Sequence, residues 1–168
     1  MIEIAQVETP EQIAQARGLL VEYLTFIRTE VDNALSDPDD APPMTGIEDE
    51  LAALPGIFSL PDGRLLLALA DGTPVGCIAL RQIDKQTGEL KRLWVCPAAR
   101  SLGAGRLLVG TLIAEARQAG YTRLLLSTVD KLREAQRLYT SFGFEATDPF
   151  WDGPPEIMAH EIFLRLDL

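Results

Sequence analysis

Histidine, cysteine and basic charge are all scarce in this chain. The single histidine, His160, and the two cysteines, Cys77 and Cys96, form no cluster with metal-ligand spacing, so no metal centre is expected. Both cysteines sit in strand-like runs and read as small buried hydrophobes rather than a disulfide framework; a reducing cytoplasm is the expected compartment. Fifteen Lys and Arg against 25 Asp and Glu leave a formal net charge of −10. That balance argues against a nucleic-acid partner, which needs clustered cations, and suits either solubility or a cationic partner such as an amine. No apolar run is long enough to span a membrane, and the opening residues lack the pattern of a secretory leader, so no membrane partner is expected. There is no internal repeat or low-complexity tract.

What the chain does have is a 47% hydrophobic composition over 168 residues, enough for a real core, and it reads as one domain over 1–168. Its organising stretch runs from Glu89 to Ala119. A strand-like run, Glu89-Leu90-Lys91-Arg92-Leu93-Trp94-Val95-Cys96, stops at Pro97. A turn, Ala98 to Gly105, leads into a helix over Arg106–Ala119, with Leu107, Leu108, Leu112, Ile113 and Ala116 at helical spacing and Gly120 as its cap.

Strand, glycine turn and helix together make a seat for phosphate. The first helical amides have no partner inside the helix, and the helix dipole adds positive charge there. Gly103 and Gly105 keep side chains away from those amides, while Arg100 and Arg106 flank them with guanidinium groups. The pattern is neither a dinucleotide fingerprint, since Leu108 replaces the third glycine, nor a triphosphate loop, since no Gly-Lys-Ser/Thr follows.

The other segments give an order of elements. Ile2, Ile4 and Val7 begin a strand. Thr9-Pro10-Glu11-Gln12 opens a helix by a capping box, with Ile13, Ala16, Leu20, Leu24 and Ile27 inward and an end near Arg28 or Thr29. Asp32 to Gly46, rich in proline and acid, is a connector or a loop closing over the substrate. A short helix over Ile47–Leu54 precedes strands over Arg64–Ala70 and Pro74–Gln82, joined at Asp71-Gly72. Arg123–Thr128 reads as a buried strand parallel to the Leu90 strand, reached by a right-handed crossover. A helix over Lys131–Phe142, capped by Gly143, and strands over Phe144–Ala146 and Ile157–Leu166 finish the chain, with a turn-rich loop holding Phe150 and Trp151 exposed between them.

Arg100-Ser101-Leu102-Gly103-Ala104-Gly105 fits R/Q-x-x-G-x-G/A throughout, and resembles the acyl-CoA signature of the GNAT superfamily of N-acetyltransferases. Glu89-Leu90-Lys91-Arg92-Leu93-Trp94-Val95 and Leu138-Tyr139-Thr140-Ser141-Phe142-Gly143-Phe144 look like further parts of that family, in the right order. The resemblance covers nearly the whole chain. It implies an α/β fold, mixed α+β in detail: a splayed mixed sheet of six or seven strands, flanked by about four helices, that binds CoA where the Glu89 and Arg123 strands part.

The activity it implies is acetyl transfer from acetyl-CoA, a cosubstrate used without metal, to a primary amine of a small molecule or peptide. The alternative is a catalytically silent acyl-CoA-binding or regulatory module; a homodimer and a longer acyl-CoA both stay open. Expected cofactor contacts are Leu93, Trp94 and Val95 along the strand, the Val95 amide or a neighbour serving as oxyanion donor, and Arg100, Ser101, Leu102, Gly103, Ala104, Gly105 and Arg106 around the pyrophosphate. Tyr139 is the expected acid for the CoA thiolate. Glu89, eleven positions before Arg100, is the expected base, on one strand face with Lys91, Leu93 and Val95. Phe150, Trp151 and Asp152 are expected to line the acceptor pocket, the aromatics for apolar contact and Asp152 for a cationic head. Leu132 stands where many members of that family carry Asn, a departure that bears on one expected contact to the CoA arm and not on the fold.

Overall fold

The structure, a computed structural model, describes residues 1–30 and 46–168. The proline-rich stretch expected to close over the substrate lies, apart from Gly46, outside the described residues. Strands β1 (Ile2–Gln6), β2 (Arg64–Ala70), β3 (Thr73–Gln82), β4 (Thr87–Val95), β5 (Arg123–Val129), β6 (Glu145–Ala146) and β7 (Glu161–Asp167) form one sheet in the order β1-β2-β3-β4-β5-β7-β6. The helices are α1 (Pro10–Glu30), α2 (Ile47–Ala53), α3 (Ala104–Gln118), α4 (Arg133–Ser141) and α5 (Pro155–Met158). All neighbouring strands pair antiparallel except β4 and β5, which are parallel and joined by the crossover through α3.

Local chemistry explains the elements. The capping box at the start of α1 forms as read: the Gln12 amide donates to Thr9 Oγ1 at 3.2 Å and the Thr9 amide donates to Gln12 Oε1 at 3.0 Å. The β2–β3 turn puts Asp71 and Gly72 at positive φ, as a tight hairpin demands. α3 begins two residues earlier than its periodicity predicts, because Gly103 at φ 79° already supplies the break. The turn before it is a 3-10 helix over Pro97–Leu102. β7 begins at Glu161 rather than Ile157, since Pro155 starts the short helix α5.

Each sheet face carries its own core. Leu108, Val109 and Leu112 of α3 pack with Ile78, Leu80, Leu124 and Leu126 on one face; Leu19 and Leu20 of α1 pack with Leu65, Leu67 and Cys77 on the other. Burying each such leucine stabilises the fold by about 1.5–3 kcal/mol relative to exposure.

Two irregularities of β4 shape the site. Between the pairs Cys77↔Trp94 and Ala79↔Lys91, two residues of β4, Arg92 and Leu93, oppose one of β3, Ile78, and Arg92 takes φ 61°. This bulge reverses the alternation. Glu89 and Lys91 therefore do not share a face with Leu93 and Val95, as simple alternation predicts; Leu93 and Val95 pack on the α3 side with Leu90, and Trp94 packs on the α1 side. Secondly, the β4–β5 ladder holds only from Thr87↔Arg123 to Glu89↔Leu125, and beyond it the strands part. Among the described residues, the edge of Leu90–Val95 that faces β5 has no strand partner there.

Candidate active site

A cleft of about 470 Å³ and a cavity of about 230 Å³ open at this parting of β4 and β5. The cleft is lined by Leu93, Trp94 and Val95, by Arg100, Gly103, Gly105 and Arg106 at the start of α3, and by the first turn of α4 and the residues before it. Arg100, Arg106, Lys131 and Arg133 set four cations against one acid, Glu134, in a chain that is strongly acidic overall. Among the described residues no side chain caps the α3 N-terminus, which leaves its first amides open. At Gly103 a Cβ would meet nothing within 4 Å, so the cradle is clear; the positive φ is a separate reason for glycine there.

Both arginines are pre-positioned. The Arg100 guanidinium lies 5.5 Å from the Phe26 ring centroid and 5.3 Å from that of Trp94, and its Nε donates to the Val95 carbonyl at 3.3 Å. Arg106 lies over Phe142 at 5.1 Å and donates to Ser141 Oγ at 3.0 Å. Ser101 and Leu102 are exposed and Ala104 is buried, and none of these three side chains lines the cleft.

The smaller cavity adjoins the cleft at Tyr23, Leu93, Leu132 and Ala135. Tyr139 lines it, buried at 5% exposure and stacked edge-on against Phe144 at 5.7 Å. Burial first, and then Tyr23 across the cavity, push the Tyr139 phenol above its ordinary range, so it holds its proton firmly. Glu89 lines the same cavity at 3% exposure, but Arg81 Nε donates to its Oε2 and Lys91 Nζ stands 3.9 Å from its Oε1. Arg92 forms a two-pronged pair with Glu50 of α2 at 3.0 and 3.2 Å, which ties the bulge to the helix above it.

Phe150 and Trp151 are not exposed as the loop composition suggests. Both are half-buried and stack on Phe163 at 5.4 Å, because β7 offers them an aromatic platform. Trp151 Nε1 donates to Ser127 Oγ at 3.1 Å, and it is Ser127 that lines the cavity. Asp152 is exposed and accepts from the Gly153 amide. His160 is exposed, with Nδ1 3.0 Å from Asp130 Oδ2. Cys77 is fully buried and its thiol is pushed up to about 12, mainly by burial; Cys96 is also raised, by burial and then by its hydrogen bond to Glu22. Among the described residues no group of three or more His, Cys, Asp or Glu is placed to hold a metal ion, and no helix is long and apolar enough to cross a membrane.

Sequence reasoning missed Tyr23 and Phe26 of α1, Lys131 and Arg133 beside α4, and Glu161. The pair Lys131 and Arg133, directly after a strand that faces the glycine turn, was a usable signal; Glu161 had none.

Comparison with known proteins agrees with this geometry. The sequence model of the acetyltransferase (GNAT) family matches residues 14–144. An uncharacterised N-acetyltransferase of Schizosaccharomyces pombe is 31% identical over 99% of this chain and 95% of its own length. An acetyltransferase from Streptococcus agalactiae has the same fold, with a TM-score of 0.75 at 22% identity over 99% of this chain and 98% of that one. A GNAT acetyltransferase from Elizabethkingia anophelis, solved with acetyl-CoA bound, superposes with a TM-score of 0.63 at 21% identity, covering 99% and 98%. The chain belongs to the GNAT family and is an N-acetyltransferase.

Proposed function

We propose that this enzyme transfers the acetyl group of acetyl-CoA to a primary amine of a small molecule or peptide, by direct attack within a ternary complex. The observation that carries this reading is the parting of β4 and β5, with a cation-lined cleft adjoining a smaller cavity that holds a phenol and carboxyls. The α3 amides, Arg100 and Arg106 suit the CoA pyrophosphate. The unpartnered edge of Leu90–Val95 suits the amide groups of the pantetheine arm, and an amide at or beside Val95 suits the oxyanion.

As the amine attacks, its nitrogen bonds to the thioester carbon, the carbon–sulfur bond breaks and the sulfur leaves as thiolate. Tyr139 donates its proton to that sulfur; with a thiol pKa of about 8.5, the leaving group needs only modest help. A stepwise route through an acetylated cysteine is disfavoured, because both thiols are raised and the thiolate is the nucleophile.

Glu89 is a proton acceptor in a second reading, directly or through water, favoured by its place in the cavity wall. Against it, Arg81 and Lys91 already occupy its oxygens. Trp151 shapes the acceptor wall indirectly, through Ser127, while Phe150 shares with it the Phe163 platform. The test is thiol release from acetyl-CoA with spermidine, lysine, kanamycin and a short peptide. Amine-dependent release supports the reading; saturable acetyl-CoA binding without release for any amine supports the silent module.

A further inference from the structure

The acceptor cavity holds a carboxyl that the reading above leaves unused. Glu161 opens β7, directly opposite Val129 of β5, and lines the cavity together with Tyr23 and Tyr139. Unlike Glu89, it has no ion pair among the described residues, so its oxygens remain available to a ligand. Its surroundings mix signs. Asp130 lies at the end of β5 with His160 bonded to it; Tyr23 faces it from α1 and Tyr139 from α4; Glu89, Lys91 and Arg92 line the β4 wall, Glu89 held by Arg81 and Arg92 by Glu50.

We propose that Glu161 is the general base, accepting the proton that the acceptor amine loses as it attacks the thioester. This deepens the acetyl-transfer reading and rests on it. The nitrogen lone pair forms the new bond to carbon, the nitrogen's proton passes to a Glu161 oxygen, the electrons of the carbon–sulfur bond leave with sulfur, and Tyr139 supplies the proton for the thiol. Solvent then takes the proton from Glu161 and returns one to Tyr139, so the products are the amide and CoA.

Three observations support the assignment. The carboxyl on β7 and the phenol on α4 line one cavity from two different elements, which gives a base and an acid access to the same space. Burial, and then the Asp130 carboxylate, push the Glu161 carboxyl up from its ordinary 4.5 to about 7, where a base is best matched to neutral solution. Finally, the cationic partners that engage Glu89 are bonded elsewhere and leave Glu161 free to exchange its proton.

The test combines titration with kinetics. In protein labelled with carbon-13 at glutamate side chains, one carboxyl resonance, absent from Glu161→Gln, should titrate with a midpoint near 7. With whichever of the four amines wild type acetylates fastest, Glu161→Gln should lower kcat about 10²-fold at unchanged KM for acetyl-CoA. The acid limb assigned to Glu161 should vanish, Glu161→Asp should restore part of the rate, and Glu89→Gln should keep the limb. Unchanged acetyl-CoA affinity shows that the variants are folded. A Glu161 resonance titrating in the ordinary carboxylate range, or a Glu161→Gln enzyme with wild-type kcat and limb, overturns the proposal while leaving acetyl transfer standing. Wild type that releases no thiol with any amine overturns both.

Discussion

Tyr139 is the proposed acid, and a single atom, its hydroxyl oxygen, carries that proposal. Replacing it with phenylalanine keeps the ring that stacks on Phe144 and removes only the hydroxyl facing the cavity. Tyr139→Phe should therefore fold normally, lose about 10²-fold in kcat and keep its KM for acetyl-CoA, because proton donation to sulfur belongs to the transition state. Steady-state rates at varied acetyl-CoA check this; a raised KM with kcat intact would mean that Tyr139 only positions the thioester. Residues of this kind were legible when a local motif held them. Gly103, Gly105 and Arg100 stood out because a turn before a helix has one recognisable pattern. Glu161 did not, because it gains meaning only once β7 pairs with β5 beside the parting, a contact that no local spacing encodes. Glu89 was visible, but its engagement by Arg81 was not, since that depends on the β3–β4 register Arg81↔Glu89.

Among the elements, the start of α3 is the one proposed to seat the cofactor phosphates. A Cβ added at Gly105 would touch only Leu138 at 3.4 Å and Val95 at 3.7 Å, so a side chain fits there. Gly105→Glu should keep the fold while setting a carboxylate in the phosphate seat. Losing one or two charge-assisted hydrogen bonds, at about 1.5–3 kcal/mol each, lowers acetyl-CoA affinity at least 10-fold. Calorimetry measures it, and unchanged affinity would move the pyrophosphate elsewhere. Gly103→Ala separates the effects: its cost, about 1 kcal/mol, falls on stability through the positive φ and leaves the seat open. Most elements were legible from periodicity, with β2 matching at both ends, since each buries a face of its own period. The bulge at Arg92 was not. An inserted residue shows only in the register with β3, and it moved Leu93 and Val95 to the opposite face from Glu89.

For the molecule as a whole, the parting of β4 from β5 lets two openings on one sheet meet at Tyr23, Leu93, Leu132 and Ala135. In the proposed reading the donor lies along the cation-lined cleft and the acceptor in the smaller cavity, so both are bound when the bond forms. The cysteines, both raised and hydrogen-bonded to groups of other elements, make poor carriers for the acetyl group, which favours direct transfer. The most direct measurement is initial velocity with acetyl-CoA and the acceptor amine both varied. Double-reciprocal lines should intersect, as a ternary complex requires. Parallel lines, together with an acetylated enzyme trapped in the absence of amine, would contradict direct transfer across the parted strands.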